Sequence, residues 1–183
     1  MAGATVAAGT DENKEVISVD FEKSKIKGTP ENIIVNDLKP KTEYNLSNGT
    51  KFKTNEYGHV EEISFTPDLE NTGVRDSRQT AVGKLGKEKD VGGHIQACAF
   101  GGTCDSYNLF PQNSNFNNSA YKVYFENIVR KANKDGKTIG EVTVKFSRND
   151  PKSLRPDALE VRYKIDGVSQ KPVNFKNESG GGK

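Results

Sequence analysis

The chain has 183 residues, enough for one domain around one substantial core and too few for several. Only 32% of residues are hydrophobic and 28% are charged, which excludes a membrane bundle, while nine Phe and six Tyr argue against a disordered chain. A formal net charge of +2 is below the strong basic bias that by itself marks nucleic-acid binders, yet it accommodates a polyanionic substrate.

In chain order, residues 1–15 are small and polar and read as a flexible linker; "MAGATVAAGT" lacks the basic start and apolar stretch of a signal peptide. The short apolar run "NIIVND" (32–37) suits a strand. From Glu43, "EYNLSNGTKFKTNEYGHVEEISFTP" places apolar residues between Asn-Gly and Tyr-Gly turns, which predicts two successive hairpins of an antiparallel meander. His59 falls in the second turn without an acidic or histidine partner at ligand spacing, so it reads as a surface turn residue. Residues 72–90 are rich in Gly, Lys and Arg with weak periodicity, and read as a loop with a basic rim.

A strand-like "HIQACAF" begins at His94 and meets Gly101-Gly102, and a polar loop follows to Asn118. Ser119 can cap a helix to about Ala132, with Ala120, Val123, Tyr124, Ile128 and Ala132 on one apolar face, and Asp135-Gly136 ends it. The stretches 137–147 and 158–166 read as strands joined by a loop containing Pro151 and Pro156. Residues 179–183 form a polar tail. No run approaches the roughly 18 apolar residues of a membrane helix. The expected class is α+β, an antiparallel sheet combined with a strand-loop-helix unit, in a single domain over 16–178.

That unit concentrates the chemistry: His94, then Asn108, Gln112, Asn113, Asn115, Asn117 and Asn118, then Glu126 on the helix. Magnesium takes few protein oxygens and keeps several waters, so one Asn and a Glu acting through water suit it. A neutral His opposite such an ion can take a proton from water attacking a phosphodiester. Cys98 and Cys104 lie six residues apart around "AFGGT"; a disulfide and two unconnected small buried residues are both compatible with that spacing. A zinc site made by both with His94 lacks a fourth ligand at a usual spacing.

"DVGGH", then "FGGTCDSYNLFPQNSNFN" and the helix "SAYKVYFENIVRKA", resemble the DNA/RNA non-specific endonuclease family, a branch of the ββα-metal (His-Me finger) nucleases. The D-x-G-G-H, F-G-G, N-L-x-P-Q and N-x-N pattern is similar to toxin domains of bacterial polymorphic toxins of the contact-dependent inhibition and Rhs types. The resemblance is close over 90–133 and looser at "TNEYGHVEEI" and "RQTAVGKLG". It implies a ββα-metal core at 90–133, His94 as general base, Asn117 as direct ligand of one Mg2+ (or another divalent ion such as Mn2+), and Asn108 as a site-supporting residue. It further implies that Glu126 holds a metal-bound water and that Arg130, four residues on, meets phosphate.

Two departures stand out. The arginine of the family's D-R-G-H is absent, since Val91-Gly92 precede Gly93, so phosphate binding must draw on groups such as Arg75, Arg78 or Lys84. Glu126 also follows Asn117 by nine residues where the family usually has eight. On an ideal helix nine residues turn about 180° and eight about 80°, so Asn118 would face Glu126 better; Asn117 stands first if it lies in the loop before the helix. The resemblance thus implies a magnesium-dependent endonuclease cutting DNA and/or RNA, delivered from a larger secreted or cell-surface toxin into a target-cell cytoplasm. It also implies a cognate immunity protein. The rival reading is a catalytically inactive nucleic-acid- or protein-binding module on the same fold.

Overall fold

The computed structural model describes residues 4–8, 15–73, 76–116 and 122–179. Eleven strands fall among them. Strands β1 (Ala4–Ala8), β2 (Glu15–Val19), β3 (Thr42–Leu46), β4 (Lys51–Thr54), β5 (Val60–Phe65), β8 (Ile139–Ser147), β9 (Ala158–Ile165) and β10 (Val168–Ser169) follow one another across a large sheet, and β11 (Val173–Lys176) also pairs with β9. All pairings are antiparallel except β2 with β3. That exception follows from connectivity, because two short helices, α1 (Phe21–Ser24) and α2 (Pro30–Asn36), carry the chain back between these strands. The class is α+β, as the sequence implies.

The Asn48-Gly49 and Tyr57-Gly58 turns carry Gly49 and Gly58 at φ 92° and 80°, left-handed values that favour glycine, and the two hairpins form as expected. His59 accordingly sits at a turn, its Nε2 2.9 Å from the carbonyl oxygen of Lys152. In β8, Val142, Val144 and Phe146 alternate with less buried residues and supply one core face. Tyr44, Ile63, Phe65, Leu159 and Val161 complete it.

Residues 66–138 leave the sheet and build the second layer: α3 (Arg78–Gly83), a two-stranded sheet of β6 (Asp90–His94) and β7 (Leu109–Asn113), a single turn α4 (Ser114–Phe116), and α5 (Lys122–Lys134). Aromatic contacts staple this layer to the large sheet. Phe52 stacks between Tyr44 at 4.7 Å and Tyr107 at 4.9 Å, while Phe110 meets Phe146 and Phe116 meets Phe175 edge-on. On α5, Phe125, Val129 and Ala132 are buried beside half-buried Ile128. The expected helix is therefore present, but its buried face is set by Phe125 and Val129, which the expected apolar stripe left out, beside Ala132 and the half-buried Ile128 that it included; Gly136 at φ 69° follows the helix end. Its expected cap Ser119 and Ala120 lie outside the described residues.

Four segments differ from expectation. Of residues 32–37, all but Asp37 are helical because Thr29 caps α2, its hydroxyl accepting from Asn32 N–H at 3.1 Å, with Pro30 in the first turn. The supposed loop 72–90 contains α3, a six-residue helix without a side-chain cap, held by packing rather than propensity. The strand near His94 precedes it instead of following it, since Asp90–His94 pairs residue for residue with Leu109–Asn113; the polar loop is shorter by that partner strand. Ala4–Ala8, placed by composition in a linker, pairs along β2.

Candidate active site

Two glycines place His94. A Cβ on Gly92 would collide with the backbone carbonyl of Gln79 in α3, and one on Gly93 would collide with the Gln112 side chain. On the opposing helix, Gly83 also packs closely against Val91 and Gly92, where an added Cβ would lie 2.7 Å from Gly92 N. The Gln79 amide also donates to Gly92 O at 2.8 Å. The pair therefore lets a helix and a neighbouring strand close on β6, and β6 ends at a half-buried His94. This explains the missing arginine of the D-R-G-H pattern: α3 occupies the space beside position 92. Gly92→Arg, which would restore the motif on paper, is expected to cost at least the roughly 1–3 kcal/mol typical of overpacking, measured as a lower melting temperature by circular dichroism.

After His94 the chain folds back through a 3-10 turn at Cys98–Phe100 and Gly101 at φ 89°. Asn108 organises this excursion. It is buried; its Oδ1 accepts from Gln96 N–H at 2.8 Å, and its Nδ2 donates to Thr103 O at 2.8 Å and Gln96 O at 3.0 Å. These three bonds tie residues 96 and 103 of the loop together. Cys98 and Cys104 are both buried thiols, so the disulfide left open by the sequence is not formed. Cys98 Sγ donates to Gly73 O at 2.7 Å, and Cys104 Sγ lies 3.4 Å from His94 Nε2.

The cationic residues divide. Arg78 is committed to the protein: it meets Asp76, and its NH1 donates at 2.7 Å to Asp105, whose side chain is only 2% exposed. Those carboxylates, Asp76 foremost, hold its guanidinium above its ordinary pKa. An arginine fixed in this way buttresses the loop. Lys84, at the end of α3, is exposed. On α5, Glu126 and Arg130 share a face as expected, 3.9 Å apart, with Arg130 69% exposed and Glu126 largely covered. Asn117, Asn118 and Arg75 lie outside the described residues.

Among the described residues, no three His, Cys, Asp or Glu side chains gather as a metal cluster. The donors that remain, Asn amides and the Glu126 carboxylate, are hard oxygens, which suit a small, largely hydrated cation and not zinc. Gln112 is a residue that the sequence reading noticed without assigning to the site. It is fully buried on β7 against Gly93, and neither atom of its amide has a hydrogen-bond partner among the described residues. Its place at the end of N-L-F-P-Q was the available signal.

A strand ending in histidine, an antiparallel partner strand that follows Asn108, and a helix bearing Glu126 and Arg130 succeed one another beside a mostly antiparallel sheet. The sequence profile described as DNA/RNA non-specific endonuclease matches residues 40–167, and the chain belongs to that family of phosphodiester-cleaving enzymes. It is 31% identical over 140 residues to the type VII secretion system protein EssD of Staphylococcus aureus strain USA300, and equally to its counterpart in strain NCTC 8325 / PS 47. These alignments cover 71% of this chain and 22% of each relative, so the chain spans about a fifth of the length of the curated relatives it matches. Crystal structures of NucA from Streptococcus agalactiae, one with no metal bound and one with magnesium ion bound, are similar in fold. Both have a TM-score of 0.52 and 15% identity over 73% of this chain and 76% of theirs.

Proposed function

We propose that the chain is a magnesium-dependent endonuclease cutting DNA and/or RNA to leave 5′-phosphates, with residues 16–178 as the working unit and β1 as an added edge strand. The observation that carries this reading is the placement of His94 at the end of β6 by two glycines that nothing larger could replace. Asn117, with Asn118 as the alternative, would ligate the ion, and Glu126 would hold a water in its shell. When bound, the ion offsets charge on the scissile phosphate and the leaving 3′ oxygen.

His94 accepts the proton of the attacking water. Arg130 and Lys84, both exposed, attract and orient the phosphate backbone, and Arg75 would join them; Arg78 braces its own loop through Asp105. The inactive-module reading draws on the absent arginine and the shifted Glu126. The close docking of α3 on Gly92 gives the first of these a packing cause and removes it as a sign of decay.

The EssD likeness supports secretion from a larger parent, and we place the domain as an antibacterial toxin acting in the cytoplasm of a target cell. The route named by that relative is type VII, in contrast to the contact-dependent and Rhs routes suggested by the motif pattern. No helix among the described residues is long and apolar enough to cross a membrane. A producer of such an enzyme needs an immunity protein, acidic where it covers the cationic rim.

For the metal, Asn117→Ala should abolish both cleavage and the rise in melting temperature on adding magnesium, whereas Asn118→Ala should preserve both. Calorimetric scans with and without the ion check this. Sensitivity at Asn118 alone would move the ligand by one residue.

A further inference from the structure

His94 touches a side chain that the nuclease reading does not use. Cys104 is 1% exposed, and its sulfur lies 3.4 Å from His94 Nε2. Both neighbours of Cys104 are anchored. Thr103 O receives the Asn108 amide at 2.8 Å, and Asp105 receives Arg78, Asn36 and Asn32 at 2.7, 2.9 and 3.2 Å. These bonds tie the chain down on either side of Cys104 and so favour keeping its sulfur beside the imidazole.

A neutral imidazole carries one N–H, and a base needs its other nitrogen deprotonated. We propose that Cys104 is the positioning residue of His94: its sulfur accepts the Nε2–H, fixing the ring's rotation and the tautomer in which Nδ1 receives the proton of the attacking water. The inference rests on His94 being the base. In the step, the proton moves from water to Nδ1 while Nε2 keeps its own, and the sulfur then faces an imidazolium whose positive charge it helps to solvate.

The thiol must stay neutral for this. A thiolate would pair with an imidazolium already protonated and unable to act as a base. Burial, the dominant influence, pushes the Cys104 thiol above its usual value, against a smaller opposing effect of a backbone hydrogen bond with Asp76. The surroundings therefore favour the form that the proposal requires.

The test compares Cys104→Ala and Cys104→Ser with the parent chain, using a short oligonucleotide in magnesium and 15N NMR of the histidine ring. Cys104→Ala should lower kcat about 10- to 100-fold, by analogy with the loss of a partner that orients a metal-bound histidine, with KM little changed. Its His94 should become a mixture of tautomers. Cys104→Ser, whose hydroxyl oxygen also accepts, should recover most of kcat and the Nε2–H form. Cys104→Val fills the sulfur's volume without a comparable acceptor and replaces the alanine variant should that one unfold. Wild-type kcat in the alanine or valine variant, or an unchanged Nε2–H tautomer in either, overturns the proposal. So does equal loss in the alanine and serine variants. Full activity of a folded His94→Ala chain would instead strike the underlying reading, so the two failures are distinguishable.

Discussion

His94→Ala should lose cleavage of DNA and RNA by at least about 10²-fold, the lower end of what a general base contributes, while its circular dichroism stays that of the parent. The side chain sits at the last residue of β6, where pairing with Leu109 runs through the backbone and does not require an imidazole. The glycines that position the strand are untouched by the change. An alanine has no lone pair to accept the water's proton, so the loss should fall on the chemical step. Near-parental cutting by a folded His94→Ala chain would rule out this residue as the base.

The second large effect concerns stability and comes from the far end of the same strand. Arg155 Nε meets Asp90 Oδ2 at 2.6 Å with the two side chains 8% and 1% exposed, and its NH2 donates to Asn177 O at 2.7 Å. Asn177 in turn donates to Pro111 O at 3.0 Å and Pro156 O at 2.8 Å and accepts from Asn113 N–H. One buried ion pair and one buried amide thus tie the 151–156 loop and the end of β11 to both strands of the histidine hairpin. Arg155→Ala leaves the Asp90 carboxylate buried without its counter-charge, which typically costs about 3–5 kcal/mol. Chemical denaturation should register that loss, and a change below about 1 kcal/mol would show that water or a neighbour restores the charge balance.

The same anchoring makes the end of the chain part of the fold around the histidine hairpin. The motif resemblance is close only to residue 133, and the family profile ends at 167, yet Asn177 hydrogen-bonds directly into β7 and to Pro156, two residues before β9. No local pattern around Asn177 announces a contact 66 residues away in sequence. Its importance is tertiary.

Much of the rest was legible because local chemistry and final structure agree. Asn48-Gly49 and Tyr57-Gly58 supply the left-handed turns of two hairpins, and the apolar periodicity of 122–134 supplies α5. The run at 32–37 was misread because three consecutive β-branched residues outweighed a signal also present, the Thr29-Pro30-Glu31 helix start. By contrast, β6 and α3 were hidden by physics, since glycines and a six-residue helix have little intrinsic preference and form here only by closing on each other. For the proposed site, motif spacing singles out His94, Asn108, Glu126 and Arg130. It does not show the contact of Cys104 with His94, because that depends on a loop that Asn108 folds back through three side-chain hydrogen bonds.

The central claim is metal-dependent cutting of nucleic acid by this chain. Incubating it with supercoiled plasmid and with total RNA, in magnesium, after EDTA, and after magnesium is returned, tests that claim most directly. Fragmentation of at least one substrate in magnesium, its arrest by EDTA and its recovery on adding the ion are the predicted results. Intact substrates under every condition, or cutting that EDTA leaves unchanged, would contradict the account.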